Sequence, residues 1–205
     1  MSFKKKIENY WYHHKFSTLL VTAILIAAIV LVVDVVNKVD YDLAVVYVGS
    51  EYMDHISFKP IEQEVANAAG DADGNGEIHI RFSTMVMPEV PQNDMDLAKE
   101  QQFNYTFLDS SARVYLCEKQ YFEAKSKFFM PLDDILPADM LEGAVMRDGK
   151  AIAVSINGHK TLEELGMDTQ KMYIGIRAQT HEDKKDEFIS ERERSSVNVL
   201  KYFVK

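Results

Sequence analysis

The sequence predicts an α/β protein: one N-terminal transmembrane helix followed by a single α/β domain with a mostly parallel sheet. Three observations predict it. Phe16 to Val36, FSTLLVTAILIAAIVLVVDVV, is an apolar run whose one charge, Asp34, lies near its end. At about 1.5 Å of rise per residue, roughly 20 helical residues cover the roughly 30 Å hydrocarbon core of a bilayer. After that run, short apolar or alternating segments take turns with segments of helical spacing, the pattern of strands joined by helical crossovers. Finally, residues 39–205 suffice for one domain with a sizeable core, and no repeat, low-complexity tract or long interior linker divides them.

The expected organisation is a cytoplasmic tail over 1–15, a transmembrane anchor over 16–36 and an extracytoplasmic α/β domain over 37–205. Flanking charge sets the orientation, because lysine and arginine accumulate on the cytoplasmic side. Lys4, Lys5, Lys6 and Lys15 precede the run, whereas Lys38 follows it among Asp34, Asp40 and Asp42. Tyr10, Trp11 and Tyr12 stand where amphipathic rings favour the headgroup layer. The apolar run exceeds the 7–15 residues of a signal-peptide core, and no small-x-small cleavage site follows it, so an uncleaved anchor is expected. The cell membrane is the expected location.

Tyr41 to Gly49, YDLAVVYVG, reads as a strand buried on both faces. Pro60 to Ala69 reads as a helix with proline in its first turn and Gly70 past its end; Ile61, Val65 and Ala68/Ala69 form its packing face. Ile78, Ile80 and Phe82 alternate with polar residues, as in a strand. Asn93 to Leu108 is helical, capped by Asn93, with Met95, Ala98, Gln102 and Tyr105 in line. Ala112 to Cys117 is a third strand, and Glu118 to Lys127 a short helix. Phe128 to Pro137 is a proline-punctuated packed loop. Asp148-Gly149 turns the chain into a strand ending at Ile156. Thr161-Leu-Glu-Glu has a capping-box pattern. Met172 to Gln179 is a further strand. Thr180, with Asp183 three residues on, opens a last helix over Glu182 to Val204.

Charge excludes one class of function. The chain carries a net −9; residues 1–38 hold five lysines against Glu8 and Asp34, so they are +3 and the remainder is −12. A domain that acidic repels nucleic-acid phosphates, and no basic stripe offsets this, so no nucleic-acid partner is expected. The lone cysteine, Cys117, forms no internal disulfide.

Three phrases carry a resemblance. Ala112-Arg-Val-Tyr-Leu-Cys-Glu-Lys-Gln-Tyr-Phe leads to Phe129-Met-Pro-Leu-Asp-Asp-Ile-Leu, and Asp148-Gly-Lys-Ala-Ile-Ala-Val-Ser-Ile-Asn follows. Over Tyr41 to Gln179 these resemble one lobe of a bacterial extracellular solute-binding protein. The tail and anchor, with Tyr-Trp-Tyr before the apolar run, resemble small single-span proteins of Gram-positive bacteria that carry such a domain. The resemblance implies an α/β fold on the outer face of the membrane. It departs from the family in having strands for one lobe and no lipoprotein cysteine, so a two-lobed clamp on a solute is not implied.

The one concrete ligand signal is Asp71-Ala-Asp-Gly-Asn-Gly-Glu-Ile, which matches the D-x-D-x-N-G start of a calcium loop. Asp71, Asp73, Asn75 and Glu77 are the candidate metal ligands, since alternating oxygens let a short loop wrap a hard cation. The twelfth position, which should be a bidentate glutamate, is Phe82, and a strand rather than a helix follows, so affinity should be weak. A polar glycine-rich turn is the simpler alternative.

No catalytic constellation stands out. Cys117 needs a histidine partner, and neither His55, His79, His159 nor His181 is selected by spacing. Asp133, Asp134, Asp139 and Glu142 form an acidic patch without a partner acid. His13 and His14 flank the anchor. No GxSxG, HExxH, CxxC or phosphate-cradling loop occurs. The expectation is therefore a non-enzyme: a membrane-anchored extracytoplasmic binding or scaffolding domain for a membrane or surface protein partner. A small-molecule or weak calcium-binding domain is the alternative, and an enzyme using the Cys117 thiol or the carboxylates of the acidic patch ranks third.

Overall fold

The computed structural model describes residues 3–36, 39–49, 57–87 and 92–204. His55, Asn37 and Lys38, and the side chains of Lys5, Lys6, Glu8 and Asp34, lie outside the described residues. Two compact units are present, Met1–Asp40 and Tyr41–Lys205.

The first unit is built on helix α1, Phe3–Val36. Within it the 24 residues Tyr10–Val33, of mean hydropathy 2.9, are long and apolar enough to cross a membrane. Leu19, Ile24, Leu25 and Ile29 are all exposed.

The second unit is a layered α/β fold around a six-stranded sheet in the order β2-β1-β3-β6-β5-β4. β1, Leu43–Gly49, is buried along its whole length, as its unbroken apolar run requires of a central strand. It pairs in parallel with β2, Ile80–Val86, and with β3, Ala112–Glu118. Helices α2, Lys59–Ala69, and α3, Asp94–Thr106, supply the two crossovers. Pro60 sits in the first turn of α2, and Gly70, with φ 75°, donates its N–H to the Ala66 carbonyl. Asn93 caps α3 by accepting from the Asp96 N–H.

Beyond β3 the sheet is antiparallel. β6, Met172–Ile176, runs against β3; β5, Lys150–Ser155, runs against β6; β4, Val145–Arg147, closes a hairpin on β5. The mostly parallel sheet expected from the alternation is thus corrected to a mixed one, with three antiparallel pairings against two parallel. The reason is local. A parallel return needs a covering crossover, usually a long helix. After β3 the chain has α4, Lys119–Ala124, and α5, Lys160–Glu164, of six and five residues. Between β4 and β5, Asp148 and Gly149 both take positive φ (52° and 77°), the backbone of a tight hairpin that reverses the chain.

Alternate strand residues face opposite layers. Leu43, Val45, Val114, Leu116 and Ile174 pack against α2 and against α6, Ile189–Phe203, through Ile61, Val65, Val199, Leu200 and Phe203. Ala44, Val46, Tyr115 and Cys117 pack against Phe103 of α3, Phe122 of α4 and the loop residues Phe107 and Phe129.

Four local expectations are corrected. β2 begins at Ile80, leaving Ile78 outside the strand and partly exposed. The α3 residues Met95 and Tyr105 face solvent, 71% and 68% exposed, while Phe103 is the residue that helix buries. α5 is capped by the His159 imidazole, whose Nδ1 accepts from the Leu162 N–H, rather than by Thr161. The last helix starts at Ile189, because Asp183 turns inward and residues 182–185 form a 3-10 turn.

That inward turn belongs to a buried ion pair. Arg177, just past β6, is fully buried and grips Asp183 with two bonds of 2.7 and 2.8 Å. Its Nε donates to the Ala112 carbonyl, and Nη2 also reaches the Asp109 carbonyl. One guanidinium therefore ties the start of β3 to the segment after β6.

Candidate functional site

The Asp71–Glu77 loop joins α2 to β2. Glycines at 74 and 76 take φ of 73° and 90°, which lets the backbone fold back on the Asp71 carboxylate. Asp71 accepts from the Gly74 N–H at 2.6 Å and the Gly76 N–H at 2.8 Å. The backbone bond from Gly76 leads the contacts that hold its carboxyl below the usual aspartate range. Asp73 accepts from the backbone and side-chain amides of Asn75.

Asp42, the residue before β1, enters from the other side. It is fully buried, and both carboxylate oxygens are engaged: Oδ1 accepts from the Ala72 and Asp73 N–H groups and Oδ2 from the His79 N–H. Arg192 of α6 donates to the Asp42 carbonyl at 2.6 Å, so the helix, the strand start and the loop meet at this residue.

One carboxylate oxygen from each of Asp42, Asp71 and Asp73 lies within 4.8 Å of the others. Of the four ligands expected from sequence, Asp71 and Asp73 join this cluster. Glu77 does not belong to it, and Asn75 adjoins it through the bond from its side-chain amide to Asp73. The Asn75 Oδ1 accepts from the Glu77 N–H, and the exposed Glu77 carboxylate sits 3.1 Å from the His79 Nε2. Phe82, at the twelfth loop position, stacks on Phe58 with ring centroids 4.7 Å apart. Asp42 was missed by sequence reasoning because it lies far upstream of the loop; its adjacency follows from β1 pairing beside β2. Calcium takes 6–8 oxygens. Three carboxylates, one already saturated by backbone donors, make a partial shell that would have to be completed by carbonyls and water.

Each remaining candidate has its own local setting. Cys117 is fully buried, and that burial pushes its thiol well above the ordinary cysteine range, away from the reactive thiolate. His159 caps α5, and burial lowers its imidazole. His79 pairs with Glu77, and His181 is exposed. Asp133 accepts from the Ala151 N–H, while Asp134, Asp139 and Glu142 are exposed. His13 and His14 lie on α1 beside the rings of Tyr12 and Tyr10.

Near α6 a different feature appears that no motif signals. An open groove of about 350 Å³ is lined by Gln179, Ser190, Glu193, Arg194 and Val197. The Glu193 Oε2 accepts from the Gln179 side-chain amide at 2.6 Å and lies 3.4 Å from the Arg113 Nη2.

No family model, curated protein or solved structure matches the chain.

Proposed function

We propose that this is a single-pass membrane protein, N terminus in the cytoplasm, whose acidic α/β domain lies outside the cell membrane and binds or scaffolds a membrane or surface protein. The observation that carries the reading is Tyr10–Val33: an apolar helical stretch of 24 residues with none of it buried. Lysines before it and aspartates after it supply the orientation. Its length beyond a signal-peptide core supports retention of the helix as an anchor. Outward residues of α3, among them Met95, Leu97 and Tyr105, support a protein as the partner. A domain of net −12 disfavours phosphate-rich and anionic surfaces as occupants.

Protease added to intact cells tests the orientation: digestion of the domain is expected, and protection would reverse it. The mass of the membrane-bound protein tests retention, because loss of the first 30 or so residues would identify a cleaved signal. Crosslinking in cells should then recover one reproducible protein partner.

A weak calcium site at Asp71 and Asp73 is the second reading, favoured by the convergence of Asp42 on the loop. A millimolar affinity suffices outside a cell. Calorimetry on the full chain in detergent micelles should show saturable heat with millimolar calcium; a flat titration removes this reading.

A further inference from the structure

The dipeptide Asn-Gly occurs twice in the chain, at Asn75-Gly76 and at Asn157-Gly158. In this pair an asparagine side chain is readily attacked by its own backbone. The nitrogen of the following residue closes on the side-chain carbonyl carbon. Glycine, with no Cβ, neither shields that nitrogen nor resists the backbone rotation that closure needs. Both copies sit in exposed turns, with φ of 90° at Gly76 and 79° at Gly158. Their surroundings differ.

At Asn75 both reacting groups are held. The nucleophile, the Gly76 nitrogen, donates its N–H to the Asp71 carboxylate at 2.8 Å. Withdrawing that proton would leave an amide anion against a carboxylate, and like charges in contact are disfavoured. The electrophile is pinned as well. The Asn75 Oδ1 accepts from the Glu77 N–H at 2.7 Å, and Nδ2 donates to Asp73 at 2.8 Å. Turning the side chain onto the Gly76 nitrogen breaks these bonds.

Asn157 has neither guard. It follows β5 in a turn over 156–159, closed by the His159 N–H on the Ile156 carbonyl at 3.1 Å. Gly158 occupies the third position, where a type II turn requires positive φ. The Asn157 backbone N–H donates to the Ser155 hydroxyl, but its side chain makes no hydrogen bond among the described residues. The Gly158 N–H donates to the Thr169 Oγ1 at 3.1 Å, a neutral hydroxyl rather than a carboxylate. The electrophile is therefore free to rotate, and no anion opposes ionisation of the nucleophile at this bond.

We propose that Asn157 is a site of spontaneous covalent modification, and that Asn75, in the same dipeptide, is guarded from it by Asp71 and Asp73. The Gly158 nitrogen gives its proton to solvent and forms a bond to the Asn157 Cγ. The bond from Cγ to the side-chain nitrogen breaks, and that nitrogen takes up a proton and leaves as ammonia. Water then opens the resulting succinimide at either carbonyl, giving aspartate or isoaspartate; nothing is oxidised or reduced, and one water is consumed. Isoaspartate adds a main-chain carbon just before His159, whose imidazole caps α5, so the product loosens the start of that helix. The turn lies in the folded unit, so the inference holds whether or not α1 crosses a membrane.

The test incubates the full chain in detergent micelles, in mildly alkaline buffer at physiological temperature. Mass spectrometry of the digested protein reads conversion of each amide to acid, and labelling by an isoaspartyl methyltransferase reads the isoaspartate share. Conversion at Asn157 is expected to run several-fold faster than at Asn75. In denaturant the two should convert at similar rates, because only the fold separates them. Asp71→Ala takes the carboxylate from the Gly76 N–H and should raise the Asn75 rate toward that of Asn157 without moving Asn157. Three results would each overturn the proposal: equal rates at the two positions in the folded chain, an Asn157 that stays intact while the denatured chain converts, or an Asp71→Ala protein whose Asn75 remains slow.

Discussion

The two halves of the sheet are built on different principles. In β2-β1-β3 the strands are parallel and joined by α2 and α3, helices of 11 and 13 residues. In β6-β5-β4 they are antiparallel, joined by a tight turn and by the five-residue α5. The parallel half buries its strands beneath crossover helices; the antiparallel half relies on turns and on long loop residues such as Leu132 and Phe129. β3 belongs to both, and its start is where Arg113 and Arg177 meet. The difference teaches where a buried arginine pair is used: Arg113 and Arg177 sit at the seam where the two halves join. There the two guanidiniums donate to the backbone carbonyls of Asp109, Ala112 and Arg177.

The largest test cuts that seam. Asp183→Ala leaves the Arg177 charge buried without its carboxylate, and breaking such a pair from one side costs about 3–5 kcal/mol. Chemical denaturation followed by circular dichroism should show the midpoint falling accordingly. A loss under about 1 kcal/mol would mean the halves do not depend on this pair. The pair also sets a pH dependence. Burial alone would raise the Asp183 carboxyl, but bonds from Arg177 and Thr180 outweigh it and hold the group below the usual range. Its folded pKa is thus depressed, so its stabilisation is fully present at neutral pH and is lost as pH falls through the folded value. Asp183→Asn should flatten that acid limb.

A gentler comparison uses one glycine from each half. A Cβ on Gly175, in β6, would lie 2.6 Å from the Phe122 ring and 2.7 Å from the Ile152 carbonyl, a backbone atom of the neighbouring strand. On Gly49, at the end of β1, it would meet the Tyr47 hydroxyl, the far end of a side chain. Overpacking a core costs about 1–3 kcal/mol, and a side chain yields more readily than a paired strand. Gly175→Ala should therefore be the costlier change. If Gly49→Ala proves equally damaging, the Tyr47 ring is held as firmly as backbone.

These differences track what the sequence made legible. β1 was readable because seven consecutive buried residues leave a continuous apolar run. α2 was readable because Pro60 and Gly70 punctuate it and Ile61 and Val65 are spaced for one face. The antiparallel half was readable piece by piece, Asp148-Gly149 included, but not in direction, since strand direction depends on which neighbour a strand meets. The candidate loop was half readable. Asp71 and Asp73 come from a local pattern, whereas Asp42 and the Arg113–Glu193 contact join residues far apart in the chain. Nothing in Arg113 itself, inside an ordinary strand phrase, marks it as buried.

The smallest predicted effect concerns α3, which belongs to the parallel half yet is covered on only one side. Its helical spacing put Met95, Ala98, Gln102 and Tyr105 on one stripe, the natural guess for a packing face. That stripe points outward, and Phe103, fully buried against Phe107 and Tyr115, holds the helix instead. Tyr105→Ser should then change stability by no more than about 0.5 kcal/mol, the range of ordinary surface substitutions. The same denaturation experiment on Phe103→Ala sets the contrast at about 3–5 kcal/mol. If Tyr105→Ser leaves stability intact but abolishes crosslinking to a partner in cells, the outward stripe is the surface that binds. If it lowers stability by as much as Phe103→Ala, α3 is turned the other way and the layer beneath it must be redrawn.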